Sequence, residues 1–389
     1  MPYPSIFYSP KIDKVVLEDC INCVASEKPK LRAIDEQRKI MLKQLHDDKC
    51  DCEQLLEACD RYLTLYASYA KYCETVNAKN DQEELLAIFK KVPQYVHRSL
   101  VNEKDAKFTE SKMEQYLILF DIVTIMLDLQ FKLSAANANA DVLTQQNNQL
   151  KRALGILSHL KTLSQSIVID AKNVSDTAIE LRADLLDNIS NVIRGMFCIN
   201  SADKGIKMNE TALKADEPPK YSLDVLAGLA RTAENSFKQA TQQLETLFKQ
   251  DLKNISKNYV SFVSSMYVMS QLYKYELIFG HFYEISNDLS EKQAAVEEAE
   301  HQKKACAREL KKALEKFQTI RVKSAGVDEW FAIRFESHIE RMVKISTRCN
   351  GTEAAMVKEL GNTVEIKGTE YVAAEAIWDT MSVIGPKKK

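Results

Sequence analysis

Glycine and proline are scarce in this chain, at 10 and 8 of its 389 residues. Average usage would give roughly 27 and 19. Both residues make turns, Gly because positive φ costs it little and Pro because its φ is fixed. A chain poor in both has few turns and therefore long elements. Long elements are helices, since strands average about 5–6 residues. A surplus of either charge is also missing. There are 53 basic and 55 acidic residues, a net charge of −2. That balance argues against a dedicated nucleic-acid binder, which carries a clear basic excess. No apolar run reaches the roughly 18 residues that a membrane-crossing helix needs. Leu117–Phe131 is broken by Asp121 and Asp128, and Tyr259–Tyr273 is uncharged but only 15 residues long. The opening MPYPSIFYSPKIDK lacks the basic-then-apolar pattern of a secretory leader.

Catalytic signatures are absent as well. The sequence holds no HExxH, GxSxG, GxxxxGK[ST] or GxGxxG. Its few glycines are too spread out to let a backbone cradle a phosphate. The expectation is a protein that is not an enzyme and has no cofactor. Nine cysteines follow no regular framework, and six lie within the first 73 residues. They read as reduced thiols in a cytoplasmic protein. Cys20-x-x-Cys23 with His46, Cys50 and Cys52 is the one metal-like grouping. It lacks a second clean pair, so thiols on packed helices are the favoured reading over zinc.

What the chain does have is apolar periodicity. Apolar residues make up 45% and charged residues 28%, enough for a sizeable core. The expected organisation has five parts. Residues 1–28 form an arm and a short helix, and 29–198 a first long-helix unit. Residues 199–221, with Gly205, Pro218 and Pro219, read as a linker. Residues 222–325 form a long coiled-coil helix or hairpin, and 326–389 a small helical subdomain. In the first unit Leu56, Cys59, Leu63, Tyr66 and Ala70 recur at helical spacing, as do Leu150, Leu154, Leu157 and Leu160. A second long helix is expected from about Lys104, with AANANA at 135–140 as a thin section.

The region after the linker shows the pattern best. Leu226, Ala230, Ala233, Phe237, Ala240, Leu244 and Leu247 alternate steps of four and three. After a stutter, Ile255, Tyr259, Phe262, Met266, Met269 and Tyr273 resume it. Ile285, Leu289, Val296, Ala299, Cys306 and Leu310 fit another frame. An unbroken helix here would run roughly 150 Å at about 1.5 Å per residue. Gly280 or Asn287-Asp288 are the expected places for a bend or break, and Ser222 a suitable N-cap. Thr363–Val372 alternates around Lys367-Gly368 and suggests a small hairpin. The fold class that follows is all-α: an elongated bundle of a few very long amphipathic helices, with a small mixed C-terminal piece. A seam repeating every 3.5 residues must face another helix. The helices therefore pair with each other, with a second copy as a homodimer, or with other helical proteins.

One run stands out as a candidate site. Lys303, Lys304, Arg308, Lys311, Lys312, Lys316, Arg321 and Lys323 face only Glu309 and Glu315, a local net of +6. It suits an anionic-membrane or partner contact, against the plainer and weightier reading of a solvated outer face. The aromatic and Met stripe Tyr259–Tyr283 reads as core. In outline the long helices of Ser222–Ser324, and less closely Lys30–Met196, are similar to BAR-type domains, and no site residue carries over from that likeness of shape. The function expected is an elongated scaffold acting through protein association, BAR-like at a membrane surface. The alternative is an α-helical pore-former that inserts Tyr259–Tyr283.

Overall fold

The computed structural model describes residues 11–12, 15–21, 25, 27–45, 52–78, 91, 93–99, 101, 105–132, 139–167, 179–249, 255–320, 325–348 and 356–373. The fold is an all-α bundle with one small sheet. Strands β1 (Lys11–Ile12), β2 (Tyr95–Arg98) and β3 (Asp105–Phe108) pair antiparallel in that order. Tyr95 sits opposite Phe108, and their rings stack at 5.5 Å.

The helices follow in chain order. The N-terminal part holds α1 (Leu17–Cys20), α2 (Lys28–Leu45) and α3 (Cys52–Ala78). Next come α4 (Ser111–Lys132), α5 (Ala140–Ser164), a 3-10 turn (Ile179–Leu181) and α6 (Ala183–Lys214). The series ends with α7 (Leu223–Lys249), α8 (Lys257–Asn287), α9 (Gln293–Ile320) and α10 (Ala325–Arg348). From α2 onward each helix packs on the next. Cross-helix contacts show the direction of the α5–α6 and α8–α9 pairs. Asn147 meets Ser201 while Lys161 meets Asp187, and Lys316 lies over Tyr267 while Lys303 meets Ser286. Residue numbers rise on one helix as they fall on its neighbour, so these neighbours are antiparallel.

The heptad residues explain the packing. Every seam residue of α7 from Leu226 to Leu247 is buried, as are Ile255, Tyr259, Phe262, Met266, Met269 and Tyr273. Each large apolar side chain so buried contributes about 1.5–3 kcal/mol. Asn188 and Tyr259 pair their polar groups inside this core. The Asn188 amide donates to the Ala240 carbonyl at 2.7 Å, and Tyr259 donates to the Asn188 side-chain oxygen at 2.7 Å. An aromatic group of Phe131, Phe262, Trp330, Phe331 and Phe335 seats α10 on α4 and α8, with Phe131 and Trp330 4.9 Å apart.

Several expectations need correction. No described helix is very long: the longest, α6, has 32 residues, about 48 Å at 1.5 Å per residue. The expected 222–325 rod is three helices, α7, α8 and α9. The α8–α9 break does fall at Asn287-Asp288, where Asp288 accepts from Ser290 N–H at 2.8 Å in a polar turn. Gly280 lies within α8. Leu289 sits in that turn fully exposed, so it belongs to no seam. The expected irregular stretch 199–221 is mostly helix, because α6 continues to Lys214. Gly205 does not break it; a Cβ there would collide with the Leu226 side chain, so glycine serves close helix packing. Only the short 215–222 turn is irregular, and Ser222 accepts from Val225 N–H at 3.3 Å as a cap.

In the first unit, Lys30–Val76 divides into α2 and α3. The helix expected from Lys104 is instead β3, α4 and α5. Asn139, in the AANANA stretch, caps α5 by accepting from Val142 N–H at 2.9 Å. A side-chain acceptor ready to hold the backbone favours a helix start there over continuation. Residues 356–373 form neither a helix nor a hairpin but an extended strap. The sequence also suggests short helices at 82–91 and 373–381, and both ranges fall almost wholly outside the described residues.

A groove between two helices and an extended strap

The strap owes its course to chemistry on the helix faces it crosses. Extended backbone cannot satisfy its own N–H groups, and here the helices receive them. Lys358 N–H donates to Gln302 of α9 at 2.8 Å, and Gly361 N–H to Asp224 of α7 at 2.8 Å. Val364 N–H donates to Thr232 of α7 at 2.9 Å, and Thr369 N–H to the Lys151 carbonyl of α5 at 2.9 Å. Gly361 has φ of +68°, a region that glycine enters without strain. Leu360 and Ile366 turn inward and are buried. Glu359 meets Lys274 at 3.2 Å and Arg231 at 3.4 Å, and Lys274 also meets Glu234 at 2.7 Å. Burial opposes the Lys274 charge, but Glu234 and Glu359 outweigh it and hold the ammonium above the ordinary lysine range.

Beside the last part of the strap lies a groove of about 490 Å³. One wall is α5, with Ser158, His159 and Thr162; the second is Ser190 and Arg194 of α6; the third is the strap from Glu365 to Tyr371. Two features suit it to a partner chain. No described residue pairs with the backbone N–H groups of Glu365, Ile366, Lys367 or Glu370. Arg194 contacts the Asn191 side-chain oxygen at 3.2 Å and forms no ion pair among the described residues. His159 packs against Tyr371 at 4.9 Å, and burial lowers its pKa, so it sits in the groove as a neutral imidazole. The groove can offer hydrogen bonds and the cation of Arg194, whereas its two other cations, Lys161 and Lys367, are paired with Asp187 and Glu365. It gathers no nucleophile–base pair.

The sequence pointed elsewhere for a site. The structure places Lys303, Lys304, Arg308, Lys311, Lys312 and Lys316 on α9, while Arg321 and Lys323 lie outside the described residues. Lys303 is tied to Glu300 at 2.7 Å and lies 5.3 Å from the centre of the Tyr283 ring. Arg308 and Lys312 both meet Glu309, and Lys316 lies 5.1 Å from the Tyr267 ring centre. Lys304, Lys311, Lys312 and Lys316 are exposed. Of the metal-like grouping, only the Cys20 side chain is described, and it is buried. Among the described residues no three His, Cys, Asp or Glu side chains gather to hold a metal. The groove was missed because its walls come from three distant segments. The one trace in the sequence is the apolar alternation at Val364 and Ile366, a pattern that equally suits a hairpin.

No protein-family model matches this sequence, and no curated protein is significantly similar to it. The fold does match a solved structure, described as an ALIX BRO1 CHMP4C complex. The TM-score is 0.61 over 99% of each chain, at 12% sequence identity. At that identity the likeness is one of fold: the chain has the helical architecture of that Bro1 structure. Among the described residues no helix is long and apolar enough to cross a membrane.

Proposed function

We propose that this chain is a non-enzymatic helical scaffold that binds a partner protein of the CHMP4C kind in the α5–α6–strap groove. The carrying observation is a groove already formed by three elements, with an open backbone edge on one side and Arg194 on the other. Open N–H groups and a cation favour a segment rich in carbonyl and carboxylate groups. The neighbour of like fold was solved in a complex with CHMP4C, which supports a partner of that kind. A cytoplasmic setting fits the reduced thiols of this reading. Calorimetric titration of the full chain with CHMP4C tests it. Saturable binding is expected, weakened tenfold or more by Arg194→Glu. Absence of binding, or wild-type affinity in that variant, rejects the groove.

A second reading rests on the exposed face of α9. Lys304, Lys311, Lys312 and Lys316 would approach an anionic membrane, each adding about 1 kcal/mol near the surface. Co-sedimentation with phosphatidylserine vesicles is expected to fall on Lys304→Glu/Lys311→Glu. Binding unaffected by that pair, or absent in the wild type, removes this reading. Self-association as a homodimer is tested by light scattering, where a mass of one chain at all concentrations excludes it.

A further inference from the structure

Away from the groove, a group of titratable side chains is sealed where the sheet meets the helices. His97 on β2 and Asp121 on α4 are both about 1% exposed, and their Nε2 and Oδ2 atoms are 3.2 Å apart. Glu180, on the 3-10 turn, is equally buried and receives a hydrogen bond from the Ser99 hydroxyl. The Tyr116 hydroxyl donates to the Glu180 carbonyl at 2.6 Å. The next acid on α4, Glu114, is held by Arg38 of α2 at 3.0 Å and by Tyr62 of α3 at 3.0 Å. Among the described residues that leaves two buried carboxyl groups and a single imidazole. The outer oxygens, Asp121 Oδ1 and Glu180 Oε1, meet no hydrogen-bond partner among the described residues.

Charge counting then sets the protonation. A bare buried carboxylate costs several kcal/mol. One histidine can offset one carboxylate, so the cluster is neutral only if it takes up a further proton. We propose that His97, Asp121 and Glu180 form a proton-operated clasp that fastens the sheet to the helical array and tightens on mild acidification. The connection to the array is direct. Ser99 Oγ accepts from Val101 N–H at 3.1 Å, and the Val101 carbonyl accepts from Ser256 N–H at 2.8 Å. Ser256 is the N-cap of α8.

The electrostatics act in one direction. Burial raises Asp121 and Glu180 above the ordinary carboxylate range, against the pull of His97 on Asp121 and of Ser99 on Glu180. Burial opposes the His97 charge, but Asp121 outweighs it and the imidazole is raised as well. Unfolded Asp, Glu and His titrate near 3.9, 4.3 and 6.5, roughly. For all three groups the stabilisation is complete below the unfolded value and is lost as pH rises through the higher folded value. The closed clasp therefore holds more protons than the open one from about pH 4 upward. Each extra proton changes the opening equilibrium about tenfold per pH unit.

Hydrogen exchange of the full chain at pH 5.5 and 7.5, corrected for intrinsic rates, tests the clasp. The opening constant of residues 93–101 is expected to fall at least tenfold at pH 5.5, relative to residues 226–247 of α7. Asp121→Asn and Glu180→Gln, which mimic the protonated groups, are each expected to flatten that dependence. If Asp121→Asn fails to fold, Glu180→Gln decides. A wild-type opening constant that is unchanged or larger at pH 5.5 overturns the proposal. So does a wild-type slope retained in every folded variant.

Discussion

Replacing Gly155 by valine should lift the strap from α5 and leave the helices intact. A Cβ at this position would overlap the Thr369 carbonyl oxygen, so even alanine cannot fit unless the strap moves. The magnitude follows from what the strap loses. The Thr369–Lys151 hydrogen bond is worth about 1 kcal/mol, and burial of Ile366 about 1.5–3 kcal/mol. Together they give roughly 2.5–4 kcal/mol of local docking energy, or on the order of 70–1000-fold in the docked-to-free ratio. The attachments at Lys358, Gly361 and Val364 are made to α9 and α7, so they remain. Exchange at Thr369 should therefore accelerate by two to three orders of magnitude, with little change near Gly361. Helical circular dichroism should stay at its wild-type level. Since the strap is one wall of the groove, CHMP4C binding should fall with it. Wild-type exchange at Thr369 in Gly155→Val would refute the reasoning, because the close contact would then not be what seats the strap.

Three more perturbations test the core. Arg38→Met leaves Glu114 buried without its cation and should cost about 3–5 kcal/mol in urea unfolding, with Arg38→Met/Glu114→Met recovering most of it; equal losses in the single and double variants would contradict this. Phe237→Ala removes a fully buried ring packed at Gly195 and should cost about 3–5 kcal/mol, whereas a loss under about 1 kcal/mol would show that α6 and α7 close the cavity. Burial pushes the Cys198 and Cys306 thiols up to about 12, so below that pH they stay protonated in the fold. At pH 8 a thiol reagent should spare both until the chain unfolds, and mass mapping that finds them labelled in the native protein at the unfolded rate would refute their burial.

The sequence by itself determined that this protein is a helical bundle and which side chains form the buried seams of α7 and α8. Leu226 to Leu247 and Ile255 to Tyr273 were legible because a stripe of apolar residues has nowhere to go but against another helix. Where each helix stops was only partly legible. Ser222 and Asn287-Asp288 announce their ends by local polar chemistry. Gly205 gave a false signal, since a glycine that admits a neighbouring side chain looks the same in sequence as one that makes a turn. The sheet was missed because β1 has two residues and β2 and β3 four each, too few for a period to show. Tertiary structure alone decided the rest. It folded one periodic stretch into three antiparallel helices, laid the strap from Gln302 to Lys151, and brought His97, Asp121 and Glu180 together. Those contacts join residues tens to hundreds of positions apart. Periodicity records which face of a helix is buried, but it holds no information about which distant segment buries it.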